Sequence, residues 1–75
     1  MPTPLSTRPY PRAALGAYGV KASDTHVCEW LSDDRQIDLV LGLGDSVSAA
    51  RADGERVYDE EDMEGGELIV RPISP

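Results

Sequence analysis

The sequence has no phenylalanine, one cysteine, one histidine and one tryptophan, and three tyrosines complete its aromatic side chains in 75 residues. Apolar residues make up 40% of the chain, yet seven of them are alanine, so large core side chains are few. The lone Cys28 excludes an internal disulfide, and nothing covalent offsets a small core. No apolar run approaches the ~18 residues of a membrane span, and no signal-peptide pattern opens the chain. A chain without membrane contact, located inside a cell or on a virion, is the expectation. This length admits one small domain. It excludes catalytic scaffolds such as the TIM barrel, which takes roughly 250 residues.

Acidic residues are also missing, but only from one part. Met1 to Ser23 contains none, while Arg8, Arg12 and Lys21 give this part a charge of +3. From Asp24 onward, 14 carboxylates stand against Arg35, Arg51, Arg56 and Arg71, giving −10 and a total of −7. Such asymmetry marks two parts with different roles. Pro2, Pro4, Pro9 and Pro11 prevent a continuous helix over residues 1–12. The chain therefore divides into a basic, Pro-rich arm (1–23), an acidic body (24–71) and a short tail (72–75).

Within the arm, Arg12-Ala13-Ala14-Leu15 follows Pro11, which suits a first helical turn. Gly16 and Gly19 weaken it. One short turn or an irregular segment is expected, packing Leu15, Tyr18 and Val20 onto the body. In the body, Ile37, Leu39, Leu41 and Leu43 recur at period two, which predicts a strand with one buried face. Val27, Glu29 and Leu31 alternate with Cys28 and Trp30, and the same stretch also fits a helix capped by Ser23 or Asp24. Asp53-Gly54 supplies the residue types of a type I′ hairpin turn between Val47–Ala52 and Glu55–Asp59. The competing reading is a helix over Ser46–Ala52 with Asp45 as its N-cap. Glu67–Arg71 reads as a last strand stopped by Pro72.

The expected core is Val20, Val27, Trp30, Leu31, Ile37, Leu39, Leu41, Val47, Val57, Tyr58, Leu68 and Val70. Turn signals recur about every 8–12 residues, as in small β folds. The fold class that results is mainly β, a small sheet, sandwich or partly open barrel of four to five short strands. It carries an extended Pro-rich N-terminal arm and at most one or two short helices.

Candidate chemistry is sparse. Gly44-Asp45-Ser46-Val47 resembles the Gly-Asp-Ser block of one family of serine esterases, over four residues only. A serine nucleophile needs a positioned base and an oxyanion site, and His26 is the only candidate base. The competing reading is a turn in which Asp45 and Ser46 bond local backbone. His26 and Cys28, with Asp24 or Glu29, fall short of a structural zinc set. The run Asp59-Glu60-Glu61-Asp62-Met63-Glu64-Gly65-Gly66-Glu67 concentrates carboxylates but fails the EF-hand pattern, with Met63 at position five and Glu64 at position six. It reads as a hydrated loop, or as a surface that meets something basic. No catalytic residue, cofactor or metal is expected.

Two functions fit these features. The first is a non-enzymatic structural protein docking on a larger oligomeric assembly through its arm, in the manner of a viral capsid accessory or cement-like protein. Leu5 and Tyr10 would anchor the arm, and Arg8 and Arg12 would make its charge contacts. The alternative is a small acidic inhibitor of phage anti-defence type that imitates nucleic acid. Asp59, Glu60, Glu61 and Asp62 would then sit on a basic site of a host protein. Direct nucleic-acid binding is not expected, because the body would repel phosphate.

Overall fold

The computed structural model describes residues 7–75. Four strands, β1 (Tyr10–Pro11), β2 (His26–Leu31), β3 (Asp38–Gly44) and β4 (Glu67–Ser74), form one curled sheet in the order β1-β4-β2-β3. β2 runs antiparallel to both β3 and β4, whereas β1 lies parallel to β4. A 3₁₀ segment, Arg12–Tyr18, follows β1, and helix α1, Val47–Glu60, joins β3 to β4.

The sheet was expected; the long helix was not. At 14 residues α1 runs straight through Asp53-Gly54, so the predicted hairpin does not exist. The reason is packing. A Cβ at Gly54 would collide with Cys28 Sγ, and one at Gly42 would meet the backbone of Ala50, Asp53 and Gly54. One at Gly44 would meet Ala49 and Ala50. These glycines let α1 lie directly on β2 and β3, and the Ala-rich first turns keep its near face small. Ser46, not Asp45, caps the helix, its hydroxyl accepting from the Ala49 N–H at 3.1 Å.

β3 also departs from its pattern. The register against β2 slips between Cys28 and Glu29, which leaves Leu41 as an extra residue, a β-bulge. Gly42 is opposite Cys28, and Leu39 is opposite Trp30, on the helix side of the sheet. Leu43, opposite Val27, lies on the other side. The predicted apolar stripe is therefore split between two faces. Ile37 and Leu39 stay 51% and 44% exposed, and Val47 is 52% exposed.

The buried apolar residues are Leu15, Val27, Cys28, Leu31 and Ala50; Val20, Trp30, Leu41, Val57, Tyr58, Leu68 and Val70 are half-buried. The 3₁₀ segment buries Leu15 as expected and ends at Gly19, whose φ of 74° a side chain would resist. Tyr18 is exposed. Pro72 does not stop β4: His26 pairs with it, and β1 pairs with Ile73 and Ser74 beyond it.

Candidate interaction surfaces

The face of the sheet away from α1 carries Val27, Glu29 and Leu31 by alternation along β2. Glu29 is wholly buried there, and Arg71 of β4 reaches it, Nη1 donating to Oε1 at 2.6 Å. The same guanidinium donates from Nε to the Arg8 carbonyl at 2.8 Å and from Nη2 to the Pro9 carbonyl at 3.1 Å. The Tyr10 ring covers it at 4.8 Å from its centroid. Ser74 Oγ donates to the Tyr10 carbonyl at 3.2 Å. One arginine thus ties the arm to the sheet with three of its five donors. Further along, Arg12 donates to the carbonyls of Lys21 (3.1 Å) and Asp24 (2.6 Å). The Asp24 carboxylate accepts from the Lys21 N–H at 2.8 Å, closing that loop.

Burial and, after it, Asp38 raise Glu29 to about 7, against the lowering pull of Arg71. Asp38 faces Leu31 across the β2–β3 ladder, diagonal to Glu29 on the same face. Among the described residues Glu29 Oε2 has no partner as a carboxylate, and a proton on it would supply a donor. Burial and the Glu29 charge also raise Tyr10. With its side chain 1% exposed, Glu29 is closed to any solute in this conformation.

The acidic run is partly helical rather than a loop. Asp59 and Glu60 form the last turn of α1, Glu61 caps it, and Asp62 takes a left-handed φ of 52°. All four are exposed. Glu60 pairs with Arg56 at 3.0 Å, and Arg56 pairs with Asp53 at 2.7 Å. Gly65, at the end of the run, is held firmly, its carbonyl accepting from both Trp30 Nε1 and Tyr58 Oη at 2.9 Å.

The two sets of residues named from sequence are not brought together. Arg8, Tyr10 and Arg12 gather where β4 ends, and Asp59 to Asp62 lie shortly before it begins. Leu5 falls outside the described residues. Glu29 and Arg71, the pair that organises the arm, were missed. Their signal is a single charge of opposite sign inside each of two apolar strands, Val27-Cys28-Glu29-Trp30-Leu31 and Leu68-Ile69-Val70-Arg71.

The remaining candidates have local tasks. Ser46 is the helix cap, His26 Nδ1 lies 2.9 Å from Thr25 Oγ1, and Cys28 is packed under Gly54 with its thiol raised by burial. Among the described residues no three His, Cys, Asp or Glu side chains are grouped to hold a metal, and no helix is long and apolar enough to cross a membrane. No protein-family model, curated protein or solved structure matches the chain.

Proposed function

We propose that this protein is a non-enzymatic docking module that seats on a larger protein assembly through its N-terminal arm, as a capsid accessory protein would. The observation that supports the reading is the hold of Arg71 on the carbonyls of Arg8 and Pro9. It fixes residues 8–11 at the rim of the sheet, so the residues before them start from a defined point. Prolines in such a segment reduce the entropy cost of ordering it on a partner. Tyr10 and Arg12 then act as the footing of the arm, and Leu5 and Arg8 remain its proposed contacts with the partner.

The test is affinity capture from a lysate of the source with the full chain and with a chain lacking residues 1–6, eluted in salt steps. Exposed charge contacts are screened as the Debye length falls from about 10 Å at 0.1 M to 3 Å at 1 M. One abundant structural subunit, held through high salt and lost with the shortened chain, is the expected result. Equal retention of that subunit by both chains refutes docking through the arm. Release of a basic nucleic-acid-binding protein at moderate salt from both chains would instead favour mimicry by the acidic residues.

A further inference from the structure

The two rims of the sheet are treated differently. At the β4 rim, β1 is two residues long and ends in proline, a poor template for another strand. At the opposite rim, β3 is seven residues long, and among the described residues nothing pairs with its outer edge. Edge strands are usually guarded by charge, proline or a cover. Across Ile37–Gly44 the only charged residue is Asp38, and there is no proline.

A shallow groove follows this rim, lined by Tyr18, Val40, Leu41, Gly42, Leu43 and Asp53. The backbone directions are clear at its ends. The carbonyls of Ile37 and Gly44 accept from Ser32 and Thr25, on the β2 side. The N–H of Leu43 instead donates outward to Asp53 Oδ2 at 3.0 Å. That oxygen stands where the carbonyl of an added strand would stand.

We propose that the outer edge of β3 takes up an extended segment of a protein partner by strand addition, an apolar stretch with lysine or arginine at each end. This surface is separate from the arm, and the proposal does not depend on the arm reading. Strand addition draws affinity from main-chain hydrogen bonds and selectivity from alternate side chains. Ile37, Leu39 and Tyr18 offer the apolar contact, 51%, 44% and 53% exposed. Asp38 at one end of β3 and Asp45 just past the other supply the opposite charge, whereas Asp53 in the groove is already paired with Arg56. Neither Asp38 nor Asp45 forms an ion pair among the described residues. A second copy fits poorly. Antiparallel pairing of β3 with itself sets Asp38 of each copy near Asp45 of the other, between chains that each carry −7.

The test titrates the ¹⁵N-labelled full chain with a short capped peptide of alternating valine and threonine that carries lysine at both ends. The control is the same peptide with glutamate in place of lysine. The lysine peptide is expected to shift the amides of residues 38–44, Leu43 above all, and to lose affinity as salt is added. Ile37→Ser with Leu39→Ser should weaken binding about tenfold, measured where circular dichroism shows the variant folded, because about half of each side chain is covered. The titration of the unaltered chain decides the matter if that variant folds badly. No shift in residues 38–44, or equal shifts with the glutamate peptide, overturns the proposal. Shifts that follow protein concentration alone would make the occupant a second copy. Shifts that appear on removing residues 1–6, without peptide, would make it the chain's own N-terminus. Either outcome also overturns it.

Discussion

Arg71 Nη1 meets Glu29 Oε1 at 2.6 Å inside the sheet, while the second carboxylate oxygen of Glu29 has no hydrogen-bond partner among the described residues. A buried pair of this kind gives little net stability, because both charges lose their water. Breaking one side of it is costly for the same reason, since the other charge is left buried and alone.

The first prediction concerns pH. Glu29 sits near 7 in the folded chain and at the ordinary 4.5 when exposed, with Arg71 and Asp38 on the neighbouring strands and Tyr10 on β1 beyond β4. Between those values the folded state keeps a proton that the unfolded state has lost. Stability must therefore fall as pH rises through that window and level off above it. Urea midpoints from about pH 5 to about pH 8 should show the decline, amounting to a few kcal/mol. Glu29→Gln should remove most of the slope, since its amide can accept from Arg71 without ionising. Parallel pH profiles for the two proteins would show that Glu29 is not the titrating group.

Arg71 controls the arm through geometry as well as charge. Above about pH 7, where Glu29 is ionised in the parent chain, Arg71→Ala should cost about 3–5 kcal/mol, because that buried charge loses its partner. Arg71→Lys keeps the charge but lacks the planar fork that reaches Glu29 and both carbonyls at once. Trypsin should then cut Arg12–Ala13 faster in Arg71→Lys than in the parent chain, with a smaller change in global stability than for alanine. An unchanged rate at that bond would mean that the arm is held elsewhere.

Two glycines should resist a substitution that normally strengthens structure. Gly54→Ala would favour an isolated helix by about 1 kcal/mol. Here the new methyl meets Cys28 Sγ and Cβ, so the sign reverses. Adding Cys28→Ala should recover part of the loss, and a double-mutant cycle measures the coupling. Gly42→Ala meets backbone rather than a side chain, and should cost about 1–3 kcal/mol with no such rescue.

The start of α1 separates two neighbouring candidate caps. Ser46→Ala removes the bond to the Ala49 N–H and should lower stability by about 1 kcal/mol. Asp45→Ala removes no side-chain hydrogen bond among the described residues and should change the thermal midpoint far less. Equal losses would move the cap to Asp45.

Much of this molecule is readable residue by residue. The basic arm and acidic body follow from counting charges, and Pro11 and Gly19 bound the 3₁₀ segment as their backbone preferences require. The strand at Glu67–Arg71 follows from its β-branched content, whereas Val27–Leu31 fits a strand only slightly better than a helix until β3 and β4 pair with it. The arm residues Tyr10 and Arg12 were legible as contact makers, but the contacts shown are with their own body. The acidic run was legible as exposed carboxylates, not as a helix end.

What failed involved partners distant in the chain. Asp53-Gly54 is a turn signal because glycine reaches positive φ, yet Gly54 serves by lacking a Cβ where α1 crosses Cys28. That need exists only once β2 and α1 are in contact. The stripe Ile37, Leu39, Leu41 and Leu43 loses its common face through one bulged residue, which the register against β2 imposes. Glu29 and Arg71 are 42 positions apart and look like local faults in two apolar strands. A charge can be buried when an opposite charge meets it there, and the curled sheet brings the two together.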